Sequence, residues 1–552
     1  MIKLTNELII EIEGYGNIVV HKDTTLYDLI KRLNKTDDII ACSINNEIVE
    51  LSYKLKEDTK LKLISIKDRM GAKIYRSGLK FIYITAIKEL FGINTDVKLL
   101  HSLDKGIYTR IDLDLTVDIV KDIKAKMEEL VSRDLRFEKI TTSRKEAIKY
   151  FNEVKEKEKS SMYKQMTGDA LTLYNLLNYY NYFYTKMPYS TGIIKSFDLT
   201  LTKDKGVMLE YPSTYDMKIP PYTHMDQVLN VFKEYGKWAD TLGVKYVSDV
   251  NNVVIEGKIK EFIELNEIKQ NNDLLKIASE IEKNLNNIKL VLIAGPSSSG
   301  KTTTSKKLSL YLKNKGINPF VLSTDDFFKN RIDTPKNENG EYEYDIPEAL
   351  DIDLFNEKLT SLIKGEETLL PTYNFLTGEK EYKHPPVSLK NRDLIIVEGI
   401  HTLNEMLTSK IDRKNKLKIY ISPFTPLDLD RHNHVSTVDL RLIRRLVRDY
   451  RTRGYDAEET LKNWRVVRRS EEKYIFPYQK EADIVLNTAL IYELGVLKTY
   501  AVPILFSVSY HSEYYSEALR IINFLKSFLN ISDSMLPETA LLREFVGGGY
   551  FE

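Results

Sequence analysis

From residue 287 onward, short apolar runs alternate with longer amphipathic ones. The runs 289–294 (KLVLIA), 319–323 (PFVLS), 393–399 (DLIIVEG), 417–422 (LKIYIS) and 482–487 (ADIVLN) are mostly apolar at consecutive positions. Such runs predict strands buried on both faces of a parallel sheet. Segments with helical spacing separate most of them, beginning with 302–316 (TTTSKKLSLYLKNKG), which stops at Gly316. This alternation predicts a doubly wound α/β domain, whose ligands bind beyond the carboxyl ends of the strands.

The pattern before residue 287 is different. In residues 1–66, alternating segments at 2–12 and 17–21 predict a hairpin, followed by a helix over 25–35 and strands near 39–45, 47–51 and 59–65. This reads as a small α+β module. Residues 67–235 form a second region, with helices expected near 77–92 and 116–134 and strands near 197–203 and 207–212. The stretch 144–161 (RKEAIKYFNEVKEKEKSS) mixes charges of both signs and predicts a solvated helix. Residues 236–286 read as a charged, mostly helical connector, 287–490 as the α/β domain, and 491–552 as a helical appendage packing on it. Its last stretch, 541–552 (LLREFVGGGYFE), shows no chemistry.

Composition narrows the class without naming it. A chain of 552 residues suggests about three or four domains. Its 81 basic and 80 acidic residues leave a net charge of +1, so nothing attracts the whole chain to nucleic acid or an anionic membrane. Cys42 is the only cysteine, which excludes an intrachain disulfide and a cysteine-based metal cluster. The N-terminus is strand-like and acidic, unlike a signal peptide, and no apolar run approaches the ~18 residues of a membrane span. The expectation is a soluble cytoplasmic protein. The tyrosine cluster at 179–184 (YYNYFY) reads as packing.

The chemistry begins after the run 289–294. Gly295-Pro-Ser-Ser-Ser-Gly-Lys301-Thr302 matches G-x-x-x-x-G-K-[ST], between an expected strand and an expected helix. The glycines let backbone N–H groups turn inward onto phosphate oxygens, and the helix N-terminus adds positive potential. Gly295, Ser297, Ser298, Ser299, Gly300, Lys301, Thr302 and Thr303 are therefore the expected ATP-binding set. Lys301 supplies a point charge for the outer phosphates, and the Thr302 hydroxyl can ligate Mg²⁺. Asp325 follows the second run and Glu398 closes the third. A lone Asp after a strand is more often a helix N-cap. Two acids beside a phosphate loop instead suggest a proton acceptor and a metal-side carboxylate. In 438–454 (VDLRLIRRLVRDYRTRG), Arg441, Arg444, Arg445 and Arg448 share one helical face. Asp439 and Asp449 offset that charge only in part, so the helix reads as a mobile lid that closes on triphosphate. His432 and His434 lack a third nearby ligand and read as structural, and Asn34-Lys35-Thr36-Asp37, an N-K-x-D match, lies too far from the loop to serve it.

The blocks GPSSSGKTT, LSTDDFF, YDIPEALDIDLF, LLPTYNF, IIVEGI and DLRLIRRLVRDYRTRG occur in order within 289–487. Together they resemble the uridine kinase/phosphoribulokinase family of P-loop kinases. The resemblance implies a P-loop NTPase fold, ATP or GTP as phosphoryl donor, Mg²⁺, and a nucleoside acceptor. It implies Asp325 as general base, Asp345 or Glu348 as a ribose ligand, and Tyr373 as a base contact. It also implies Glu398 near the metal, and Arg441, Arg444 and Arg448 as phosphate contacts. The sequence departs from the family pattern at Ile346, where the family has His, at Glu348, where it has Asp, and at Gly378, where uridine-specific members carry His. The acceptor stays open among uridine, cytidine, another nucleoside, a different small alcohol or a sugar phosphate.

Residues 1–66 resemble a TGS-type ubiquitin-like module. Residues 67–235 resemble the editing region of threonyl-tRNA synthetases, through GIYTRIDLD (106–114) and STGIIKSFDL (190–199). Ser77 and Phe81 stand where that region has its paired histidines, and its later Cys/His pair has no counterpart near Tyr189. The resemblance thus implies a scaffold without metal or editing chemistry. An RNA or regulatory ligand at this half, an RNA-binding regulator that uses ATP as a switch, and a homo-oligomer remain open readings.

Overall fold

The computed structural model describes residues 6–103, 106–166, 168–214, 216–220, 225–337, 340, 342–390 and 392–552. Residues 2–5 of the first expected strand lie outside the described residues. Strands Glu7–Ile12 and Gly16–His21 form the expected hairpin, and Thr59–Ser65 runs parallel to the first of them. Strands Ile39–Ile44 and Glu47–Glu50 complete this five-stranded sheet. Helix Leu26–Arg32, capped by the Thr25 side chain, buries Leu26, Leu29 and Ile30 against it.

Helix Arg69–Phe91 begins earlier than the apolar pattern suggests and is buried over most of its length. It packs between the four-stranded antiparallel sheet built on Val97–Leu103 and Gly106–Ile111 and the aromatic cluster of Phe137, Tyr179 and Phe183. The charged stretch 144–161 departs from expectation twice. It forms two helices, Arg144–Glu153 and Lys157–Gln165, broken where Lys155 takes a left-handed φ of 60°. Nor is it solvated throughout, because Glu156 and Lys159 are fully buried. Their charges are matched inside the protein: Lys159 pairs with Glu156 at 2.8 Å, and Lys88 reaches Glu156 at 3.2 Å. A buried ion is tolerated only when paired in this way.

The C-terminal half contains the parallel sheet. Its strands are β1 (Leu290–Ala294), β2 (Asn318–Ser323), β3 (Asp393–Gly399), β4 (Lys416–Ser422) and β5 (Ile484–Asn487), in the order 2-3-1-4-5. All neighbouring pairs are parallel. Helix α1 (Lys301–Asn314) follows β1 and packs with helix Ile259–Lys283 through Leu308, Leu312, Leu274 and Ile281. The boundary expected at 235/236 falls inside helix Asp226–Thr241. Helices α2 (Thr437–Thr452), α3 (Ala457–Tyr474), α4 (Glu493–Phe506) and α5 (Arg543–Val546) share one large apolar cluster. Among the described residues, no helix is long and apolar enough to cross a membrane.

Between β4 and α2 the chain forms a small hairpin of Asp428–Asp430 and Asn433–His434 that docks on the N-terminal half. Leu99 N donates to Arg431 O at 2.8 Å, and the Arg431 side chain pairs with Glu158 and Asp96. His432 Nδ1 lies 2.6 Å from Lys159 Nζ, and His434 Nε2 lies 3.0 Å from Ser102 Oγ. Burial holds the His434 ring down at about 3 and the His432 ring well below the ordinary imidazole value, so both are neutral contacts between the halves. Ser77 meets the Thr185 hydroxyl, and Phe81 fills the aromatic core.

Candidate active site

The phosphate-loop candidate lies at the carboxyl end of β1, the central strand. A Cβ on Gly295 would stand 2.4 Å from Ile421 O on the adjoining strand, so only glycine lets the chain leave the sheet there. Ser298 and Gly300 take left-handed φ values of 59° and 87°, the alternation that turns successive N–H groups toward one point. The hydroxyls of Ser298 and Ser299 are buried without a hydrogen-bond partner among the described residues. Buried polar atoms of this kind fit a loop shaped around a polar ligand. Lys301 opens α1, and its Nζ folds back onto Gly295 O at 3.0 Å and Pro296 O at 3.2 Å. Burial lowers its pKa, while Glu398, Asp325 and Glu544 oppose the shift.

The acids expected beside the loop gather there. Ser323, at the end of β2, donates to Glu398 Oε1 at 3.0 Å, and Thr302 Oγ1 lies 3.5 Å from the same oxygen. A Cβ on Gly399 would fall 2.0 Å from Thr324 Oγ1, so glycine lets β3 pass close to the turn that carries Asp325. Burial, reinforced by the Asp325 charge, pushes the Glu398 carboxyl up to about 7. Burial also raises Asp325, while Lys301, Arg453 and Arg448 pull it back. The hydroxyl and carboxylate oxygens of Thr302 and Glu398 suit a hard cation. Among the described residues no cluster of three or more His, Cys, Asp or Glu is placed to hold a metal. An ion at Thr302 and Glu398 would therefore rely on phosphate oxygens and water for its remaining ligands, as Mg²⁺ commonly does.

The arginine stripe differs from the expected mobile lid. Helix α2 is a central element of the C-terminal core, and Arg441 and Arg444 are 1% and 0% exposed. Arg441 forms a two-pronged pair with Glu471 of α3, and Arg444 pairs with Glu493 of α4 at 2.6 Å. Both reach the loop only through its carbonyls, Ser297 O at 3.2 Å and Ser298 O at 3.4 Å. They brace the loop from behind. Their charge is neutralised by carboxylates remote in sequence, which is why the spacing alone suggested an unmatched face. Asp439 serves Arg520 on the opposite side, at 2.8 Å. Asp449 collects Arg445 at 3.0 Å, Arg448 at 2.7 Å and Arg453 at 3.6 Å. Of the expected arginines, Arg448 is the one whose charge bears on Asp325, and Arg453 joins it.

On the acceptor side, Asp345 and Glu348 separate. Burial raises the Asp345 carboxyl, and the charges around it are Arg445, Glu471, Asp325 and Arg453. Glu348 is exposed in the turn Pro347–Ala349, whereas Asp345 is half-buried. Ile346, two residues before it, is buried in an apolar cluster with Phe328, Leu350 and Tyr373. Tyr373 is buried against Phe328 and Phe375, and its hydroxyl has no hydrogen-bond partner among the described residues. At Gly378 the guanidinium of Arg331 fills the space a side chain would take, with Nε 2.7 Å from an ideal Cβ. Sequence reasoning passed over His401, just beyond β3. Its ring is buried, and burial holds its pKa down to about 4 against the opposing pull of the Asp345 and Tyr474 backbone. It also passed over Glu471 and Glu544, whose carboxylates accept from the loop amides Ser297 N and Thr303 N, each at 3.1 Å. No local pattern marks either glutamate, because the fold brings both from elsewhere.

A model of the "Phosphoribulokinase / Uridine kinase family" matches residues 290–491. A uridine kinase from Staphylococcus haemolyticus is 34% identical over 202 residues, covering 36% of this chain and 87% of that protein. One from Staphylococcus aureus strain JH9 is 34% identical over 199 residues, covering 36% and 86%. A solved structure titled "Structure of a Possible Uridine Kinase from Bacillus stearothermophilus" shares 21% identity, covering 39% of this chain and 98% of that one. Its TM-score of 0.26 adds nothing to the sequence match.

Proposed function

The chain belongs, through residues 290–491, to the phosphoribulokinase/uridine kinase family, and on that premise we propose that it transfers the terminal phosphoryl group of ATP or GTP to the 5′-hydroxyl of a nucleoside. One observation carries this reading: the loop, the Thr302–Glu398 contact and Asp325 converge at the carboxyl edge of β1, β2 and β3. In this reading the loop amides and Lys301 hold the donor phosphates, and Arg448 with Arg453 faces the transferring group. Mg²⁺ held by Thr302 and Glu398 would neutralise phosphate charge. Asp325 takes the proton of the acceptor hydroxyl, and its raised pKa makes it a stronger base than an exposed aspartate. Asp345 and Tyr373 orient the acceptor. Incubation with Mg-ATP or Mg-GTP and a panel of nucleosides tests the proposal. A nucleoside monophosphate product is expected, and its absence across the panel would sink the substrate assignment.

The N-terminal half is proposed as a TGS-like and synthetase-like scaffold without metal chemistry. Packing of Ser77 and Phe81 into the interior supports this. A titration of the full chain with tRNA checks it. Salt-sensitive binding would favour an RNA-binding regulator instead.

A further inference from the structure

The family match ends at residue 491, and the chain returns to the phosphate loop after it. The Leu541 side chain lies against Gly300, 2.9–3.2 Å from an ideal Cβ at that glycine. Next to it, Glu544 places a carboxylate oxygen 3.1 Å from Thr303 N, in the first turn of α1. That N–H belongs to the set that cradles nucleotide phosphates in loops of this sequence. The backbone here is firmly held. Leu541, Leu542 and Phe545 are buried, Arg451 donates to Glu544 O and Phe545 O at 3.2 Å each, and Lys306 donates to Phe551 O at 2.6 Å. The Glu544 side chain is the freer part, being only half-buried. It contrasts with Glu471, the other carboxylate on a loop amide, which is 1% exposed and fixed by Arg441 and Arg468.

We propose that Glu544 is a built-in competitor for the donor site: its carboxylate occupies the seat of a nucleotide phosphate and swings out when the triphosphate enters. The inference rests on the kinase reading above, and it assigns that site a regulating residue from outside the family domain. A carboxylate and a phosphate are both anionic acceptors, so one amide cannot serve both. Two anions also repel strongly when brought toward one seat. Each nucleotide that binds must therefore displace Glu544, which lowers apparent affinity in proportion to how firmly the side chain is seated. Because the backbone stays in place, a side-chain rotation is enough for the exchange.

Equilibrium binding of Mg-ATP, and of inorganic tripolyphosphate as a probe of the phosphate seat alone, separates the outcomes in the full-length chain. Glu544→Gln is expected to bind both ligands about tenfold more tightly than the unsubstituted protein. Glu538→Gln, which removes an exposed charge from the same stretch, is expected to change neither. Equal affinity in Glu544→Gln and the unsubstituted chain would overturn the proposal and leave the kinase reading standing. Weaker binding in Glu544→Gln would also overturn it, by making Glu544 a supporter of the ligand. If no form binds Mg-ATP above the level of Lys301→Ala, the kinase reading fails, and the proposal with it.

Discussion

Glu398 has two partners with opposite demands. Its carboxyl is pushed up to about 7 by burial and by Asp325, yet the proposed metal contact requires the ionised form. Its pKa in the folded chain lies above the ordinary carboxylate value, so the native state binds the extra proton between those limits. Stability in the absence of ligand therefore falls as pH rises through that window. Glu398→Gln cannot ionise and should unfold at a higher temperature than the unsubstituted chain at pH 8, with the two converging near pH 5. Thermal melts at both pH values check this. Mg²⁺ supplies the missing counter-charge, so the apparent Mg²⁺ requirement should rise as pH drops below about 7, and activity titrations at fixed ATP report it.

Helix α2 shows how far sequence reading reaches. The spacing of Arg441, Arg444, Arg445 and Arg448 correctly placed four guanidinium groups on one helical face. Arg445 and Arg448 pair with Asp449 of the same helix, but Arg441 and Arg444 are neutralised by Glu471 and Glu493, which arrive from α3 and α4 and which no spacing within α2 announces. The strand, turn and helix of the candidate phosphate loop were legible because their pattern is local: glycine geometry, a flanking strand and a flanking helix. The placement of Asp325 and Glu398 beside the loop was legible because strand ends are predictable. The differing burial of Asp345 and Glu348 was not legible, because it is set by the turn that buries Ile346 and Pro347. A stability difference follows within α2. Arg444→Ala leaves Glu493 buried and unpaired, a change that typically costs about 3–5 kcal/mol. Arg448→Ala, nearer the surface, should melt close to the unsubstituted protein yet lose turnover by at least about tenfold, since its charge bears on Asp325. Denaturant unfolding and steady-state kinetics on both variants distinguish a brace from a catalytic contact.

Across the whole molecule, the two halves are joined by buried polar contacts that no apolar pattern announces. The 144–161 stretch looked like a solvated helix, yet Lys159 and Glu156 are sealed under the hairpin that carries His432. Lys159→Met should destabilise the full chain by about 3 kcal/mol or more, because it strands part of the Glu156 charge in the interior. Circular dichroism melts of the intact protein measure it. The contrast with the active site is physical: chemistry at a strand end is encoded over a few residues, whereas a buried charge network between distant segments is encoded nowhere locally. The most direct test of the central claim pairs turnover with nucleotide binding in Asp325→Asn. The account predicts loss of nucleoside monophosphate formation with Mg-ATP affinity nearly intact. Retained turnover in Asp325→Asn would contradict it.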